Sequence, residues 1–166
     1  MTIAFAVVAS IVAIAQAKPD FSGTWILDFE KSATGGGPEG GGPGGRGPGG
    51  HSGRRPDAKL MIKQTAGELS IDQQVNGLSN VVTLKLDGSE SVNTGPRGGE
   101  IKSKARWDGG KLIVQSTQTM RTPNGEQTMQ TTETRSLAPD GTMIVERTAE
   151  TPRGPRTQKL VFRKTT

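Results

Sequence analysis

The sequence predicts an all-β protein: an antiparallel up-and-down meander of about 8–10 strands closed into a β-barrel, with a disordered Gly/Pro-rich insertion after the first strand. Three observations carry that expectation. Beyond Asp57 the chain is a series of short stretches in which apolar and polar residues alternate and Val, Ile and Thr abound. The stretches are separated by Ala66-Gly67, Asn76-Gly77, Asp87-Gly88, Asp108-Gly109-Gly110, Asn124-Gly125 and Asp140-Gly141, each holding a residue that accepts positive φ in a tight hairpin. Helical periodicity is nearly absent. So long a run of hairpins either exposes its edges or closes on itself, and closure removes the edges.

Taken in order, the chain opens on the uncharged apolar run Ile3–Ala15, followed by Ala15-Gln16-Ala17 and Lys18-Pro19-Asp20. That is the h-region and A-x-A site of a secretory signal peptide, and it is too short to span a bilayer. Residues 1–17 are therefore expected to be a cleaved signal and 18–166 a single barrel domain, exported to the periplasm or secreted, with no transmembrane segment left in the mature chain. The first strand is expected at Gly23–Phe29. Gly35 to Pro56 reads GGGPEGGGPGGRGPGGHSGRRP and holds 12 of the 24 glycines. Lacking Val, Ile, Leu, Phe and Trp, the segment 35–56 cannot offset its ordering entropy and is expected to be a disordered loop. Its glycines are not a phosphate loop, which needs a preceding buried strand and a following helix.

Further strands are expected at Lys59–Thr65, Leu69–Val75, Val81–Leu86, Glu90–Asn93, Ile101–Trp107, Lys111–Met120, Gln127–Leu137, Thr142–Thr151 and Thr157–Lys164. The late strands are long and polar. Met129, Thr131, Glu133, Arg135 and Leu137 share one strand face, as do Met143, Val145, Arg147, Ala149 and Thr151. In a barrel Glu133, Arg135 and Arg147 then stand in a polar lumen or at its mouth, where they are ligand-binding candidates. The other reading makes them solvent-facing charges.

Composition narrows the function classes. With no Cys and a single His, disulfide frameworks, Cys-based zinc sites, thiol nucleophiles and multi-His metal sites are excluded. No Ser lies in a G-x-S-x-G setting, the only His falls in the Gly-rich segment, and no acidic cluster has metal spacing, so neither catalytic residues, nor a metal, nor a cofactor is expected. The net charge of +5 is spread from Lys18 to Lys164 among Asp and Glu with few aromatics. That pattern gives loose attraction to anionic surfaces and no specific nucleic-acid site.

The mature start reads Phe21-Ser22-Gly23-Thr24-Trp25-Ile26-Leu27-Asp28. Gly23-Thr24-Trp25 at the head of an all-β meander resembles the G-x-W motif of lipocalins and related calycin barrels. FSGTW-x-LD-x-x-KS, followed by K-L-x-I-x-Q, W-D-G-x-K-L-x-V and a closing K-L-V-F-R-K, resembles the small exported bacterial proteins described as lipocalin-like. The resemblance implies that Gly23 lets the chain bend into the first strand and that Trp25 covers the closed end of the barrel, stacked by an Arg of a late strand, for which Arg163 is the candidate. Two features depart from the lipocalin pattern: no helical segment follows the last strand, and the second and third lipocalin motifs are not recognisable.

The function expected is that of an exported, noncatalytic, monomeric binding protein whose barrel cavity takes a small apolar or amphiphilic ligand, with Trp107 beside the charged trio as a candidate contact. Trp25 and Trp107 can equally be core aromatics at a barrel end. The alternative is an envelope interaction module that binds an anionic polymer or a protein partner through its basic surface.

Overall fold

Ten antiparallel strands follow one another in the computed structural model, which describes residues 18–33, 58–95, 98–122, 125–151 and 154–165. The signal peptide expected over 1–17 and the loop expected over 35–56 lie outside the described residues. The strands are β1 (Gly23–Leu27), β2 (Ala58–Gln64), β3 (Glu68–Val75), β4 (Leu78–Lys85), β5 (Glu90–Thr94), β6 (Glu100–Asp108), β7 (Lys111–Thr122), β8 (Gly125–Leu137), β9 (Met143–Ala149) and β10 (Arg156–Thr165). Sequence neighbours pair, and β1 also pairs with β10, so the sheet runs β4-β3-β2-β1-β10-β9-β8-β7-β6-β5 and curls into a nearly closed barrel.

Turn chemistry sets the register. Asn76 and Gly77 both take positive φ, 51° and 80°, as a two-residue type I′ hairpin requires, and Val75 therefore pairs directly with Leu78. This starts β4 three residues before the Val81 expected from hydrophobic alternation, since the turn imposes the ladder whether or not Leu78 and Ser79 find a core. The ring expected from the turns is interrupted at one place among the described residues. β4 and β5, the two ends of the sheet, are consecutive in sequence yet form no ladder.

Along most strands the inward residues change character from one end to the other. Leu69 and Ile71 give way to Gln73 on β3, Ala105 to Ser103 on β6, Leu112 and Val114 to Ser116 and Gln118 on β7, and Met143 and Val145 to Arg147 on β9. The apolar halves meet in one core with Phe21, Trp25, Leu60, Ile62, Leu84, Leu86 and Phe162. Residues 18–22 close that apolar end. Phe21 is fully buried, and its N–H donates to Gln64 Oε1 at 3.0 Å. Gln64 also donates through Nε2 to the Pro19 carbonyl at 3.0 Å and through its N–H to Ser22 Oγ at 3.1 Å. Burial is thereby matched by satisfied polar groups.

Candidate ligand-binding site

The G-x-W residues belong to the apolar end. Trp25 is 1% exposed and its Nε1 donates to the Phe21 carbonyl at 2.8 Å. The cation over its ring is Lys164, with Nζ 5.5 Å from the centroid, and not the Arg163 expected from the resemblance. The register gives the reason: Trp25 stands opposite Lys164 and Ile26 opposite Arg163, so strand alternation sends Arg163 to the outer face, where its Nε meets Asp28 Oδ2 at 3.2 Å. Gly23 adopts φ +127°, and a Cβ there would lie 2.5 Å from Lys164 Cε. The glycine thus bends the chain and also leaves the passage through which the lysine stem reaches the indole.

Trp107 belongs to the same end. Its ring stacks on Phe21 at 6.0 Å with an interplanar angle of 1°, under Lys18 Nζ at 5.7 Å. It does not line the lumen cavity, and the structure thus separates it from the charged trio.

Glu133, Arg135 and Arg147 do come together in the lumen. Arg135 follows Glu133 by two on β8 and shares its face, while Arg147 on β9 is directly opposite Glu133. Arg135 Nε and Nη2 each lie 2.6 Å from Glu133 Oε1. Arg147 Nε and Nη2 lie 3.1 and 2.8 Å from Oε2. Both guanidiniums grip the carboxylate as forks, one per oxygen. The Glu133 and Arg135 side chains are 9% and 4% exposed and that of Arg147 is 44% exposed. Burial pushes the Glu133 carboxyl up, but the charges and hydrogen bonds of Arg135 and Arg147 outweigh it and hold the group below its ordinary value. Glu133 is therefore ionised at neutral pH, and one carboxylate between two guanidiniums leaves one surplus positive charge. Arg135 Nη1 is buried without a partner among the described residues.

This trio forms one wall of a cavity of about 210 Å³. Ile71, Val82, Leu84, Ile101, Val114 and Met129 supply its apolar lining, and Gln73, Asn80, Ser103, Ser116, Gln118 and Thr131 its neutral polar lining. Ser103 and Ser116, opposite each other on β6 and β7, share a hydroxyl hydrogen bond of 2.9 Å. Sequence reading missed these polar residues. Their signal was available, because pairing outward from the Asp108-Gly109-Gly110 turn puts Ser103 across from Ser116 and Ile101 across from Gln118. Among the described residues no three His, Cys, Asp or Glu gather as metal ligands.

This architecture defines a ten-stranded, up-and-down, nearly closed β-barrel. No family model matches the sequence, and no curated protein matches it either. Solved structures do share the fold. The zebrafish ileal bile acid-binding protein complexed with cholic acid is similar with a TM-score of 0.59 at 19% identity, over 87% of this chain and 98% of that one. The REP1-NXSQ fatty acid transporter is similar with a TM-score of 0.56 at 16% identity, over 87% of this chain and 96% of that one.

Proposed function

We propose that this protein is a noncatalytic carrier whose lumen takes one small amphiphile with a singly charged anionic head group. The carrying observation is the Glu133–Arg135–Arg147 trio in the cavity wall, with its surplus positive charge and with Arg135 Nη1 buried without a partner among the described residues. A buried unpaired donor on a cation is costly, and an anion supplies the missing acceptor and cancels the charge. The apolar lining takes the body of the ligand. At about 210 Å³ the cavity is smaller than the roughly 300–1,000 Å³ of drug-sized pockets, so the ligand is short or extends beyond the cavity. The two structural neighbours, which by name handle a bile acid and a fatty acid, are consistent with this reading.

Native mass spectrometry and solvent extraction of protein purified from its own host test it. A copurifying monoanionic amphiphile is expected. An empty barrel that instead binds anionic polymer at low salt and releases it by about 0.5 M, where exposed charges are screened, contradicts the carrier reading. Export is part of the same proposal and is tested by N-terminal sequencing: the exported chain is expected to begin at Lys18, and retention of Met1 contradicts it.

A further inference from the structure

The interruption in the barrel wall has a construction of its own. Near their connecting turn β4 and β5 are joined by side chains in place of a ladder. Ser91 Oγ accepts from the Lys85 N–H at 2.8 Å. The Asn93 carboxamide closes on both backbone groups of Thr83, Oδ1 accepting from the N–H at 2.8 Å and Nδ2 donating to the carbonyl at 2.9 Å. A carboxamide carries the donor and the acceptor of a peptide group, and Asn93 thus stands in for a paired strand residue.

Further from the turn the wall opens into an outer groove of about 520 Å³. Its lips are Val81 and Val92, which are 55% and 59% exposed. Asn80 lines both this groove and the lumen cavity, so the two spaces meet at this residue. Glu100, also in the groove, has its charge met by Lys102 at 3.4 Å. Parting β4 from β5 breaks three side-chain hydrogen bonds, whereas parting any of the paired strands breaks a backbone ladder. The cheapest local opening of the barrel is therefore at this seam.

We infer that the β4–β5 seam is a side door through which the ligand reaches and leaves the lumen. The apolar body slides between Val81 and Val92, Asn80 swings aside as the gate, and the Ser91–Asn93 clasp limits the opening. The inference rests on the reading of the lumen as a ligand site.

The chain has no Cys, so a thiol pair can be placed on the lips without background labelling. The full chain carrying Val81→Cys and Val92→Cys, joined by a short bifunctional thiol reagent, is compared with the same variant capped by a monofunctional reagent. The probe is 8-anilinonaphthalene-1-sulfonate, an apolar monoanion, followed by stopped-flow fluorescence. Cross-linking is expected to slow association and dissociation together by about tenfold or more, with Kd nearly unchanged, since a door alters rates and not the end states. The Ser91→Ala/Asn93→Ala variant is expected to accelerate both. Saturable binding with unchanged rates in the cross-linked protein, or equal slowing in the capped one, overturns the side door and leaves the carrier reading standing. Absence of saturable binding in the unmodified protein overturns both.

Discussion

At the scale of single residues, Glu133 holds the lumen together electrostatically. Glu133→Gln leaves Arg135 buried without its counter-charge and is expected to cost about 3–5 kcal/mol in a denaturant melt. Arg147→Ala, at a half-exposed site, is expected to cost about 1 kcal/mol or less. Because the folded Glu133 pKa lies below its unfolded value near 4.5, the trio's contribution is complete above that pH. It declines as the pH falls below 4.5 and is lost once the pH has passed through the folded value. Urea midpoints measured from pH 7 downward should show this loss in the wild type and a shallower one in Glu133→Gln. Sequence spacing brought the three residues together, since i and i+2 share a strand face. Which face was inward could not be read, because Thr populates both sides of β7 and β8. The same parity separates Arg163 from Lys164: a one-residue difference reverses inside and outside.

At the scale of elements, β1 and β10 meet through Trp25 and Lys164. Trp25→Ala is expected to destabilise by about 3–5 kcal/mol as a truncation in a packed core. Lys164→Ala should cost about 0.5–1 kcal/mol through loss of the ammonium–indole contact, and a double-mutant cycle should find it coupled to Trp25. The corresponding cycle with Arg163→Ala should return no coupling. Most elements were legible because turn dipeptides and alternation agree, as at Asp108-Gly109-Gly110 between β6 and β7. The missing β4–β5 ladder was not, for Asp87-Gly88 is a good hairpin signal. What replaces the ladder is the pair of side chains Ser91 and Asn93, whose reach to the β4 backbone is a tertiary fact.

At the scale of the whole molecule, the barrel is divided across its axis into a packed half at one end and a more polar half at the other. Phe21, both tryptophans and most of the described Leu side chains are spent on the packed half. With so few aromatics in the chain, the cavity is lined by short aliphatics, hydroxyls and amides around one charged trio. That division follows from the phase of each strand relative to its turns, and on the proposed reading the lumen selects its ligand by charge.

The most direct measurement is a pair of fluorescence titrations with 8-anilinonaphthalene-1-sulfonate and its uncharged counterpart N-phenyl-1-naphthylamine, which share a ring system and differ by the sulfonate. The unmodified protein is expected to bind the anion at one site about tenfold or more tightly than the neutral probe, as a charge-assisted hydrogen bond in a buried site implies. The preference should persist at 0.5 M salt and vanish in Arg135→Met. Equal affinity for the two probes, or a preference that salt abolishes, would contradict the claim.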